Sequence, residues 1–187
     1  MNNFAPSRQL LHTRHITCQG YLRTDGLLDI EGRLQDLSAH LAELPFHRVQ
    51  AGEAVHDMRL ALTVDTDLLI HHACAYTDAG ATPVCGDITV AYAHLAGLRI
   101  GPGFKQAVRA RLGGVSGCTH LTELVERMAS TAIQVRFALT RVQQQAPQPA
   151  TPPARRNSWV LDTCHAYRRD GEVVRLLGLV TDPPAAE

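Results

Sequence analysis

The residues best placed to do chemistry lie between Leu98 and Val125, where LRIGPGFKQAVRARLGGVSGCTHLTELV delivers Cys118 and His120 to the expected start of an amphipathic helix. Unpaired backbone N–H groups and the helix dipole at such a terminus favour an anion, and a thiolate is one. An imidazole neighbour strengthens that tendency, so Cys118 is a candidate nucleophile and His120 its base, with Glu123 three residues on to orient the ring. A plainer alternative stays open: Cys118, Leu121, Val125 and Met128 recur at helical spacing, which also fits a cysteine packed into a buried stripe. His120 lies off that stripe.

Further candidates surround this centre. His56 and Asp57 open an alternating segment and offer a second base and carboxylate, or a capped turn. Gly101 and Gly103 in IGPGF supply flexible backbone near a helix start and read as an anion cradle. Arg14 and Tyr21 are candidate substrate contacts. Asp29 and Glu31 share a strand face, as paired acid and base or as a solvated edge. Cys85, Cys118, His120 and Cys164 form a soft ligand set suited to zinc or iron, although they are dispersed without diagnostic spacing. No GxSxG, Walker A, HExxH or dinucleotide fingerprint occurs.

The elements that must carry these groups follow from hydrophobic period. Segments 12–23 and 27–36 flank Thr24-Asp25-Gly26, a strong hairpin signal. A two-residue loop would pair apolar with polar residues. A three-residue loop with Gly26 left-handed pairs Leu22 with Leu28, Gly20 with Ile30, Cys18 with Gly32, Ile16 with Leu34 and Arg14 with Asp36, giving one apolar face that ends in an ion pair. The other face carries Thr17, Gln19, Tyr21, Asp29, Glu31 and Arg33. Met58 to Val64 alternates strictly and Leu68 to Tyr76 returns, so a second hairpin is expected. Its loop, set at Asp65-Thr66-Asp67, pairs Leu62 with Ile70, Leu60 with His72 and Met58 with Cys74, and turns His72 inward.

After Pro83 the period becomes helical. A short helix is favoured over 86–96, another runs from Gly103 to Leu112 until Gly113-Gly114, and a longer one buries Leu121, Leu124, Val125, Met128, Ala132 and Val135. The fold class is therefore α+β, an antiparallel sheet of two hairpins covered on one face by helices of the C-terminal half. The expected domain spans 8–142. Residues 143–156, rich in proline and glutamine, read as a linker, and 157–180 as a segment of unassigned secondary structure docking back on the domain.

Composition bounds the function. The chain has 187 residues, 45% of them hydrophobic, enough for one core, and 18 basic against 18 acidic side chains. That balance argues against nucleic acid or an anionic membrane as partner. The absence of any signal-like or membrane-spanning apolar run, with five cysteines at irregular spacing and no CxxC, predicts a cytoplasmic protein with reduced thiols. Its partner should be a small molecule. Oligomeric state is not legible.

HTRHITCQGYLRTDGLLDIEGRLQD, AGEAVHDMRLALTVD, LRIGPGF and especially GGVSGCTHLTEL resemble the bacterial proteins called domain of unknown function 2889, over about residues 8 to 178. That resemblance implies a single domain of this length and brings no activity with it. A fainter similarity runs to IscU-type iron-sulfur scaffold proteins through Pro83-Val84-Cys85-Gly86-Asp87, Gly117-Cys118 and Cys164-His165, with the last pair reversed. Three readings follow. The leading one is an enzyme with a thiol and imidazole site acting on a small anionic metabolite; the others are a zinc or iron-sulfur carrier and a non-catalytic interaction module.

Overall fold

The computed structural model describes residues 7–145 and 160–179, which fall into two compact units, one ending at Gln145 and one beginning at Ala146. In the first, strands β1 (His12–Leu22), β2 (Leu28–Ser38), β5 (Ala54–Val64) and β6 (Ile70–Ala79) form an antiparallel sheet in the order β1-β2-β5-β6. A two-residue ribbon, β3 (Ala42–Glu43) with β4 (Arg48–Val49), links β2 to β5. Helices α1 (Phe104–Leu112) and α2 (Thr119–Gln145) follow. The fold is α+β.

The first hairpin adopts the register that keeps its faces pure. Leu22 pairs with Leu28, Cys18 with Gly32 and Arg14 with Asp36. Arg23 N–H donates to the Leu27 carbonyl at 2.9 Å, which closes the three-residue loop, and Gly26 sits at φ 85°. The second hairpin departs from expectation. Asp65 N–H donates to the Leu69 carbonyl, so the loop is Thr66-Asp67-Leu68, one residue later than the alternation suggests. The Asp65 carboxylate accepts the N–H groups of Asp67 and Leu69 and holds the turn, with Leu68 left-handed at φ 62° and buried. Val64 then pairs with Ile70 and Thr63 with His72, which leaves His71 as an extra residue. The later loop shifts the pairing by two residues and keeps the faces, and the extra residue then turns β6 over. Leu60 faces Ala75 instead of His72, Ala61 faces Cys74, and His72 is exposed on the open face.

Leu28, Ile30 and Leu34 from β2 and Met58, Leu60 and Leu62 from β5 meet Leu121, Leu124, Val125, Met128 and Ala132 of α2. Gly32 makes that contact close: a Cβ there would lie 2.6 Å from Met128 Sδ and 2.9 Å from Leu124 Cδ1. Residues Pro83–Leu95 coil as a 3-10 run, longer and tighter than the short helix expected over 86–96, and bury Tyr92 and Leu95. The helix α2 continues to Gln145, so the first three residues of the supposed linker are helical; the remainder, 146–156, lies outside the described residues. In the second unit a 3-10 turn, His165–Tyr167, precedes α3 (Glu172–Leu176), and Asp162 accepts hydrogen bonds from the Arg169 backbone and side chain. No helix among the described residues is long and apolar enough to cross a membrane.

Candidate functional site

At one end of the sheet a buried carboxylate of β2 gathers basic groups from three other elements, β1, β5 and α2. Asp36, 1% exposed, faces α2 from β2, and Arg14 across the ladder grips it through Nε on Oδ1 at 2.6 Å and Nη2 on Oδ2 at 2.7 Å. His12 Nε2 lies 3.0 Å from Oδ1. The regular register of β2 with β5, which runs from Leu28 opposite Val64 to Asp36 opposite His56 and shifts only beyond that pair, sets His56 against Asp36, with Nδ1 3.3 Å from Oδ2. From the first turn of α2, His120 Nε2 approaches the same oxygen at 3.5 Å, and its ring stacks on His56 with centroids 4.0 Å apart.

On the far edge of the His120 ring, Nδ1 is 3.9 Å from Cys118 Sγ. The sulfur is half-buried and also lies 3.8 Å from Met58 Sδ. Tyr92 fixes the backbone beneath it: Cys118 N–H donates to the phenol oxygen at 3.0 Å, and the phenol donates to the Cys118 carbonyl at 2.8 Å. Thr122, at 2.9 Å, then donates its hydroxyl to the same oxygen. The 3-10 run therefore supplies the clamp that seats the mouth of α2. Cys118, His120 and Asp36 form one line of groups.

Electrostatics follows from burial. Burial pushes the Asp36 carboxyl upward, but the hydrogen bonds and charge of Arg14 and His12 outweigh it and hold it at about 2. Both His56 and His120 are lowered from the ordinary value of 6.5, chiefly by burial, with Asp36 opposing. The two rings are neutral at pH 7 and can act as bases or ligands.

Several expected members stand elsewhere. Asp57 does not orient His56: adjacent strand residues face opposite ways, and Asp57 accepts from Arg33 and Gln35 on the open face. Glu123 does not orient His120 but accepts from Arg14 Nη1 at 2.8 Å. Arg14, with its fork committed to Asp36 and Glu123, anchors the carboxylate and does not wait for substrate. Gly101 and Gly103 lie beside the β5–β6 turn, where Ile100 N–H donates to the Leu68 carbonyl. Eight residues of β5 separate His56 from Val64 there, roughly 26 Å, so that turn cradles nothing at this site. Tyr21, opposite Asp29, is equally remote and on the open face.

Within the first unit Cys85 joins no metal-capable group with Cys118 and His120 among the described residues. Cys85 Sγ is 3.1 Å from the Thr82 hydroxyl, and Cys164 is exposed in the second unit. Among the described residues, the side chains that converge as a metal-capable group are Asp36, His56 and His120, whose ligand atoms lie within 4.8 Å of one another. Asp36 is the member that sequence reasoning overlooked as chemistry, although the hairpin register had already paired it with Arg14. A depression of about 540 Å³ opens on the other face of the sheet between Thr17, Glu31, Arg33, Arg59 and Tyr76. Its two arginines are each held by an aspartate, Asp57 or Asp78, and its walls include Cys74 but neither Cys118 nor His120.

Comparison with known proteins finds one family model, described as a protein of unknown function (DUF2889), that matches residues 12–134. No curated protein and no solved structure matches the chain.

Proposed function

The chain belongs to the DUF2889 family, whose description assigns no activity, and we propose that it is an enzyme performing nucleophilic group transfer or hydrolysis on a small anionic substrate with Cys118, His120 and Asp36. The observation that carries this reading is the unbroken line from Cys118 Sγ through His120 Nδ1 at 3.9 Å and Nε2 to Asp36 Oδ2 at 3.5 Å, at the N-terminus of a 27-residue helix. Nucleophile, base and orienting carboxylate in that order are what covalent catalysis requires.

His120 Nδ1 takes the Cys118 proton as the sulfur attacks an electrophilic carbon, while the Asp36 carboxylate, facing Nε2–H and remaining ionised, stabilises the imidazolium. The N–H groups of the first turn of α2, which lack intrahelical acceptors, face the oxyanion that forms. His120 returns the proton to the leaving group, and water or a second substrate then releases the acyl group from sulfur. Arg14 holds Asp36 ionised throughout. The dipole of α2 favours an anionic substrate at this end of the helix.

Alkylation of Cys118 by iodoacetamide, followed by mass spectrometry of its peptide, tests the pairing. His120→Gln should slow the reaction at pH 7 by about tenfold or more, because the thiol loses its proton acceptor. An unchanged rate, or labelling of Cys118 only after unfolding, defeats the reading.

A further inference from the structure

We infer that Asp36, His56 and His120 form a binding site for one divalent transition-metal ion of the zinc class, and that occupancy of this site withdraws His120 from Cys118. The consequence for Cys118 rests on the function proposed above; the metal site does not.

The geometry begins with an orphan. His56 Nδ1 is buried and has no hydrogen-bond partner, although Asp36 Oδ2 is only 3.3 Å away. His120 Nε2 lies 3.5 Å from that same oxygen. In a tetrahedral zinc site with bonds of 2.0 to 2.1 Å, neighbouring ligand atoms are separated by about 3.3 to 3.4 Å. The two separations from Asp36 Oδ2 match that spacing, and all three ligand atoms lie within 4.8 Å of one another. Two neutral imidazoles and one ionised carboxylate are a donor set that zinc accepts, and they leave a fourth position for water or an anion. The supporting contacts are also present: Asp36 Oδ1 is held by Arg14 Nε, and His120 Nδ1 points at Cys118. Arg14 Nη2 shares Oδ2 and must give way to the ion, while Nε and the Glu123 contact keep the guanidinium in place.

Coordination through Nε2 leaves the proton of the neutral imidazole on Nδ1. A ring in that state has no lone pair with which to take the Cys118 proton. Metal and general base therefore compete for one side chain, and the ion acts as an inhibitor of the thiol.

Zinc titration by calorimetry on the full chain, with Cys118 alkylation measured in parallel, tests this. One equivalent should bind, and both His56→Gln and His120→Gln should weaken binding by well over about 100-fold, beyond the usual effect of an outer-shell change. Cys118→Ser should bind zinc as the unaltered protein does. Stoichiometric zinc should slow Cys118 alkylation in the unaltered protein and leave it unchanged in His56→Gln. Absent binding, binding that survives both histidine changes, dependence on the Cys118 sulfur, or alkylation indifferent to bound zinc each overturns the proposal. If alkylation of the zinc-free protein ignores His120, the catalytic reading fails, and the calorimetry still decides the metal site.

Discussion

Asp36 is held in its ionised form by Arg14 and His12 while 1% exposed, and a buried carboxylate in that position is stable only while its partners remain. Asp36→Asn removes the charge, leaves the Arg14 fork without its acceptor and should destabilise the fold by about 3 kcal/mol in urea unfolding. A loss within a few tenths of a kcal/mol would mean that the pair contributes little. The sequence showed this contact as the end of an apolar ladder, and there it stopped. Two histidines converge on the same oxygen from residues 56 and 120, and separations of that size leave no local pattern to read. Cys118 and His120 were visible because both sit in one glycine-rich turn. The roles assigned to Glu123 and Asp57 failed for a geometric reason: proximity along the chain did not tell which neighbour each carboxylate would meet.

At the scale of elements, the strongest constraint is the seat of α2 on β2. Gly32 lets the helix approach until Met128 and Leu124 occupy the space of a side chain, so Gly32→Val should overpack the interface and cost about 2 kcal/mol. Denaturant midpoints for Gly32→Val and for Gly26→Ala, whose added Cβ meets nothing within 4 Å but sits at φ 85°, separate overpacking from backbone strain. An overpacking effect requires a larger loss in the first. The first hairpin, α1 and the stripe of α2 were legible, since each is decided by local pairing or helical period. The second hairpin was not. Its loop position depends on the Asp65 carboxylate capping two N–H groups, and its β6 face on the extra residue His71. Alternation alone cannot register a bulge.

For the whole molecule, the ionisable groups predict a bounded stability profile. His56 and His120 are lowered from 6.5, so their contribution is complete above pH 6.5 and falls as the pH drops below it. Asp36, lowered from 3.8 to about 2, adds on the order of 2 kcal/mol that is present above pH 3.8 and lost on descent toward pH 2. Tyr92, raised from 10.0 first by burial, contributes below pH 10 and weakens above it. Urea midpoints should form a plateau from about pH 6.5 to 10 and decline on both sides; a midpoint that rises between pH 6.5 and 4 would contradict the assignment of the two buried imidazoles. The amino-acid sequence alone determined the α+β class, the register of β1 with β2, the buried stripe of α2 and the presence of thiol and imidazole at its mouth, because hydrophobic period and turn chemistry act between near neighbours. Only the tertiary structure decided that Asp36 is the node joining His12, Arg14, His56 and His120, since that meeting depends on the pairing of β2 with β5, strands of different hairpins, and on the height at which α2 comes to rest over Gly32.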